Sequence, residues 1–344
     1  MAACATAAPG LRITLLRGPD RPEAGRAEAI VVRATRVAEV RVWIAHGAVV
    51  RSFASRAVTG GRYRARVVFP RAGRWAYGAQ AGGVRVRLGS IDVRRHSVPL
   101  IFTWPTSVDV ESDRSLLLVE NGGQTGQGRV VRIDPITGRT AVAARADEAY
   151  AVAGAPTGAL YLSAGKSLLR LDGAGGTTTV AQADGDIGPV AVAADGDVYY
   201  TTQTQAFKVP GGAGTPVQVA ANLSGPHGLA VTSDGGLLVS DTGNGRVKRV
   251  DLKTGAVETW GDLVAPRGIS IAPDGTVYVV DKSTNRVVHL RIDGKRLGSV
   301  KHVFDDPYAV AAAGDGSLYV VDTSAAGRLY RVGRGGATTI VSRR

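Results

Sequence analysis

Apolar and polar residues alternate in short runs along nearly the whole chain, and the pattern changes near residue 100. Between residues 11 and 95 the alternation is strict, as in "AEAIVVRAT", "AEVRVWIAHG", "RYRARVVFP", "GRWAYGAQA" and "GVRVRLGSIDV". A period of two over four to eight residues marks a half-buried strand. From residue 104 onward the runs are shorter, and Asp-Gly pairs separate them. "GLAVTS" meets Asp234-Gly235, and "GLLVSD" follows; a polar loop, "RVKRVDL", a Gly turn and "AVETWGD" complete the unit. Asp-Gly between apolar runs is a strong hairpin signal.

That unit repeats. The Asp-Gly turn recurs at Asp195-Gly196, Asp274-Gly275 and Asp315-Gly316, with variants at Thr157-Gly158 and Asp113-Arg114. The spacings are 44, 38, 39, 40 and 41 residues. Four short strands in each period of about forty residues describe a propeller blade, and six blades close a ring without a long exposed edge. The predicted fold class is all-β. A disordered N-terminus (1–10) precedes an immunoglobulin-like β-sandwich (11–95) with Trp43 and Trp75 in its core. A linker (96–103) leads into a six-bladed propeller (104–344).

Charge sharpens this division. The chain carries a net +13, and residues 1–95 hold all of it, with 18 arginines, no lysine and five acidic residues. Arg alternates with Val in "RYRARVV" and "VRVRL", which places guanidinium groups on one sheet face. Residues 11–95 are therefore expected to dock to an anionic membrane or envelope surface. Apart from Tyr63, no aromatics are interleaved with these arginines to stack bases, which argues against nucleic acid. No apolar stretch approaches the roughly 20 residues that cross a bilayer.

"PHGLAVTSDGGLLVSDTGNGRVKRVD" and "PRGISIAPDGTVYVVDKSTNRVVHL" resemble NHL repeats, and the resemblance extends over about 240 residues. "GGRYRARVVFPRAGRWAYGAQA" resembles the end of small extracytoplasmic bacterial sandwich domains. "MAAC" resembles the tail of a bacterial lipoprotein box. Export, either secreted or lipid-anchored through Cys4, is expected if the gene start lies upstream, and a cytoplasmic protein as the sequence stands.

Two sets of positions matter for function. Seven residues after each turn lie Glu120, Ala164, Thr202, Asp241, Asp281 and Asp322. Asp241 opens an Asp-Thr-Gly, the tripeptide of aspartic proteases, yet it shares its slot with the aspartates of "DKS" and "DTS". The expected role is structural: each carboxylate accepts N–H groups of the following loop and pairs with Arg246, Arg286 or Arg328. Seven residues before each turn, where the innermost strands begin, lie Thr106, Tyr150, Gly188, His227, Arg267 and Tyr308. Both sets fall at one end of the ring. Tyr150, His227, Arg267 and Tyr308 are the predicted ligand-binding residues at the channel mouth. Arg267 is expected to meet Asp281, Asp241 or an anionic ligand.

Resemblance also supplies an enzyme alternative. Gluconolactonase-like and senescence-marker-like lactonases hold a divalent metal partly through Asn or Asp between the Pro and Gly that open inner strands. This chain has His227 and Arg267 in those places, and an arginine repels a hard cation. Similarity to streptogramin B lyase, which combines a histidine with a magnesium-bound acidic cluster, suggests His227 with Glu120 as catalytic residues. The reading favoured is a binding protein, expected to be monomeric, with a small anionic ligand or a protein at the propeller face and no metal or other cofactor. The alternative is a Ca²⁺- or Mg²⁺-dependent lactonase-like hydrolase or C–O lyase.

Overall fold

The computed structural model describes the chain except residues 1–3, 7–11, 20–21, 23–26, 36–38, 71–72, 82, 94–97, 124–126, 173–174, 262, 325–326 and 344. It divides into two compact units, Met1–Val98 and Pro99–Arg343. Part of the predicted linker and most of residues 1–10 lie outside the described residues. Within the segment expected to be disordered, Cys4–Thr6 instead forms a short strand, because its backbone pairs with Arg12–Thr14.

In the first unit the strands are hydrogen-bonded in one continuous antiparallel order. Cys4–Thr6 is followed across the sheet by Arg12–Arg17, Ala27–Ala34, Arg62–Val68, Val49–Val58, Arg41–His46, Gly73–Ala81 and Val84–Val93. The long strand Val49–Val58 is the joint: Val49–Ala54 pair with Arg41–His46, and Ser55–Val58 pair with Arg62–Ala65. The alternation read from the sequence fills one core with Ile30, Val32, Val42, Ile44, Val67 and Trp75. Trp75 meets Phe69 edge-on at 5.9 Å. Trp43 is buried too, but it faces away from that core. It lies over Gly78, with the Arg85 guanidinium 4.1 Å from its ring.

The second unit is a propeller of six four-stranded antiparallel blades among the described residues, each built from consecutive strands. The innermost strands are Pro105–Val110, Ala149–Gly154, Val190–Val192, Gly228–Val231, Pro266–Ile271 and Pro307–Ala312. In blade 4 the strands run Gly228–Val231, Gly236–Asp241, Arg246–Asp251 and Val257–Gly261, as the apolar runs predict. The turn geometry persists where its sequence has eroded. Arg114 takes a left-handed φ of 71° in the glycine position of blade 1, and Asp113 still accepts the Ser115 N–H at 2.8 Å.

Neighbouring blades meet through small and branched apolar side chains, and their inner strands come close enough to demand glycine. A Cβ on Gly228 would lie 2.3 Å from the Arg267 carbonyl oxygen, and one on Gly268 would lie 2.5 Å from the Ala309 Cα. These are the glycines of "PHG" and "PRG", so the motif records blade-to-blade contact. The ring closes by packing of Val108, Leu116 and Leu118 of blade 1 against Ala309, Ala311 and Val321 of blade 6. The segment before blade 1 clasps blade 6 as well: Leu100 N–H bonds to the Val341 carbonyl and Phe102 N–H to that of Gly327.

Candidate functional site at the propeller mouth

The residues that open the inner strands of blades 2, 4, 5 and 6 converge, although 158 positions separate the outermost two. Tyr150 and Tyr308 hydrogen-bond hydroxyl to hydroxyl at 2.8 Å. Tyr308 is the hub. Its ring lies edge-on to Tyr150 at 6.4 Å and to His227 at 5.7 Å, and the Arg267 guanidinium sits over it at 4.8 Å. Thr106 of blade 1 completes the circle by donating to the Tyr150 carbonyl at 2.6 Å. Burial raises both phenols above their ordinary range, most strongly for Tyr150. Both are therefore protonated at neutral pH. Since one hydroxyl donates to the other, the pair keeps one O–H free to donate to a ligand.

His227 is oriented by its own loop. Nδ1 lies 2.8 Å from the Gly225 carbonyl and 3.2 Å from the Thr242 hydroxyl. A carbonyl can only accept, so Nδ1 carries the proton and Nε2 is left as a lone-pair acceptor. Thr242 donates in turn to the Pro266 carbonyl at 2.6 Å, tying blade 4 to blade 5. Thus the threonine of the Asp-Thr-Gly orients a mouth residue.

Burial, and then the positive charge of Arg267, hold His227 below its ordinary value of 6.5. Its folded pKa lies below the unfolded one, so the unfolded state takes up the proton first. Stability is complete above pH 6.5 and is lost as pH falls from there towards the folded pKa. His289 shifts the same way through burial. Across the interval from about pH 6.5 to about pH 5 the depressed carboxylates stay charged, but Asp109, raised by its burial, acts with the opposite sign, so the share of His227 is the difference between the parent and a variant that lacks it. Calorimetry across this interval should show a melting temperature that falls more steeply in the parent than in His227→Gln.

The partner of Arg267 differs from the expected one. It is Asp306, at 3.6 Å, in the loop entering blade 6. Lys282 is held on the same carboxylate. Asp306 is partly buried, which raises its pKa, but the Lys282 hydrogen bond and charge, with Thr323 and Arg267, leave it lowered. Asp241 and Asp281 cannot serve because their own loops have claimed them. Asp241 is fully buried and accepts Ser224 N–H at 2.7 Å, Asn244 Nδ2 at 2.8 Å and Lys248 Nζ at 3.0 Å. Asp281 accepts Ser283 N–H at 3.1 Å and its hydroxyl at 2.6 Å.

The outer carboxylates repeat one bond. Glu120 accepts the N–H of Thr103, Asp241 that of Ser224, and Asp322 that of Asp305. In each case the donor stands 17 residues earlier, in the loop that enters the blade. Among the described residues, the expected pairing with Arg246, Arg286 or Arg328 does not form, although in blade 1 Glu120 holds the corresponding Arg129. Aspartate is one methylene shorter, and Asp241 takes Lys248 while Arg246 stays exposed. Arg286 donates instead to the carbonyls of Val300 and Lys301. Both oxygens of Glu120 are engaged, and Glu120 does not line the cavity beside His227.

That cavity, of about 460 Å³, is lined among others by Asn121, Glu148, Tyr150, Asp186, Gln203 and His227. Among the described residues, no group of three or more His, Cys, Asp or Glu side chains could hold a metal ion. Where the inner strands of blades 4 and 5 begin, the side chains are an imidazole and a guanidinium, and the guanidinium repels a cation there.

Comparison with known proteins agrees with this architecture. Residues 223–250 match the NHL repeat model. A search of curated proteins finds no match. Among solved structures, a protein of unknown function from Bacteroides thetaiotaomicron is 14% identical with a TM-score of 0.58, covering 93% of this chain and 97% of that one. Gluconolactonase from Xanthomonas campestris is 17% identical with a TM-score of 0.59, over 75% of this chain and 90% of that one. Virginiamycin B lyase from Staphylococcus aureus is 14% identical with a TM-score of 0.53, over 71% of this chain and 87% of that one. At such identities the likeness is one of fold: a six-bladed propeller with an NHL repeat.

Proposed function

We propose that the chain is a binding protein whose propeller mouth receives a small ligand bearing a carboxylate or phosphate. One observation carries this: two cations, Arg267 and Lys282, share the single carboxylate of Asp306. The Arg267 guanidinium rests its face on Tyr308, and its N–H edge, held to Asp306 only at 3.6 Å, is the part that would meet an anion. The free tyrosine O–H is a second donor, and the amides of Asn121 and Gln203 suit the polar remainder of the ligand. The test is a matched series of phenyl phosphate, phenylacetate, benzyl alcohol and benzylamine. The two anions should raise the melting temperature and give calorimetric binding, whereas the alcohol and amine should not. Equal response to all four would remove the anion from the proposal.

The N-terminal unit is proposed to be an immunoglobulin-like sandwich that docks this binding head to an anionic surface. The support is its connectivity. Arg12–Arg17, Ala27–Ala34 and Arg62–Val68 form one run, Arg41–His46, Gly73–Ala81 and Val84–Val93 another, and Val49–Val58 is shared between them.

His227 favours a second reading, because a Nδ1-protonated imidazole with its Nε2 unused is arranged as a general base. On that reading the chain is a lactonase-like hydrolase or C–O lyase. Assays with gluconolactone and quinupristin, with and without Mg²⁺ or Ca²⁺, separate the two. Turnover that disappears in His227→Ala would replace the binding protein with an enzyme.

A further inference from the structure

The cross-strand register of the N-terminal sheet gathers six arginines on one surface. One row runs Thr14, Arg33, Arg62, Val58, and the next runs Arg17, Val31, Arg64, Arg56; Ala29 and Arg66 begin a third. Directly paired residues share a face, as do alternate residues along a strand. Arg17, Arg33, Arg56, Arg62, Arg64 and Arg66 therefore point the same way, and all six are exposed. The opposite face carries Ile30, Val32, Tyr63, Ala65 and Val67 into the core.

This face is electrostatically unbalanced by itself. Arg33 stands directly opposite Arg62, and Arg56 opposite Arg64, which are repulsive placements. No described Asp or Glu shares the face. None of the six arginines forms an ion pair among the described residues. Folding alone gives no reason for such a surface, and an external polyanion does.

We propose that this face docks on the phosphate layer of an anionic lipid bilayer. The inference rests on the docking role given above to the N-terminal unit and names its partner. Rows about 7 Å apart on strands about 5 Å apart make a two-dimensional array. A plane of headgroup phosphates matches it better than a single thread does. The residues between the arginines are Thr14, Ala29, Val31 and Val58, so nothing on the face stacks with a base. Arginine meets phosphate through two parallel N–H bonds, which makes its fork the fitting contact.

The test uses the full chain and co-sedimentation with vesicles of phosphatidylcholine alone or mixed equally with phosphatidylglycerol. Binding is expected to the mixed vesicles only, and it should weaken as salt rises to about 0.15 M. Each arginine near such a surface is worth about a fivefold change in partitioning. The quadruple variant Arg33→Gln, Arg56→Gln, Arg62→Gln, Arg64→Gln should therefore bind several-hundred-fold more weakly, on the order expected for four such contacts. Its melting temperature should hold or rise, since two like-charge pairs are gone. The pair Arg56→Gln, Arg64→Gln should lose about 25-fold on the same scale, giving a milder second measure. A control with the same loss of charge on the propeller, Arg139→Gln, Arg145→Gln, Arg170→Gln, Arg296→Gln, should bind as the parent does. Equal loss in the control would overturn the assignment of this face. Binding to polyphosphate or duplex DNA but not to mixed vesicles would overturn the bilayer and leave a docking role standing. If no polyanion binds, both fall.

Discussion

Asp241→Ala should destabilise the propeller far more than the matching change at Asp281, and it should do so without any ligand present. The alanine removes the acceptor for Ser224 N–H and Asn244 Nδ2, and it leaves the Lys248 ammonium almost buried without its counter-charge. Breaking a buried pair by removing one partner costs about 3–5 kcal/mol. For a unit of this size that lowers the melting temperature by roughly 10 °C. Among the described residues, Asp281→Ala removes side-chain hydrogen bonds to Ser283 alone, two positions on, and should cost about 1–2 kcal/mol. The ordering is the informative outcome. Combining Asp241→Ala with Lys248→Met should recover part of the loss, since no buried charge is then stranded. If Asp241→Ala melts like the parent but loses ligand binding, the carboxylate belongs to the site and the scaffold assignment fails.

The contrast between these aspartates shows what local sequence can carry. Asp-Gly turns, strand alternation and the glycines of "PHG" and "PRG" are specified within a few residues, so the blade register is legible from the residues alone. The offset of seven residues also brings Tyr150, His227, Arg267 and Tyr308 together, because each stands the same distance along the chain from the turn of its blade. What the offset cannot supply is contact across blades. Asp306 lies two residues before Tyr308, a position the seven-residue offset does not sample, and it reaches Arg267 only once blades 5 and 6 are side by side. Lys282, which immediately follows Asp281, is hidden for the same reason. Choosing Arg246 over Lys248 as the partner of Asp241 fails on side-chain reach, which spacing does not record. In the N-terminal half, alternation marks the strands. It gives no sign that Val49–Val58 is shared between neighbours on both sides.

Arg267→Ala should abolish binding of the anionic members of the ligand series while leaving the fold nearly intact. In the free protein Arg267 is half-buried over Tyr308, and its ion pair with Asp306 is long, at 3.6 Å. Lys282 remains on Asp306 in the variant, so no carboxylate is left uncompensated. The stability cost is then a cation–π contact and a partly exposed ion pair, about 1–2 kcal/mol together. Binding should fall much further. A guanidinium that meets an anion in a half-buried mouth makes charge-assisted bonds worth about 1.5–3 kcal/mol each, so losing two of them lowers affinity by at least roughly 100-fold. Arg267→Lys distinguishes geometry from charge. It keeps the positive charge but loses the planar fork that lies on Tyr308, and it should recover only a small part of the affinity. If Arg267→Ala instead melts several degrees lower and binds phenyl phosphate as the parent does, the ion pair with Asp306 is the whole role of this residue. The mouth then has no anion site.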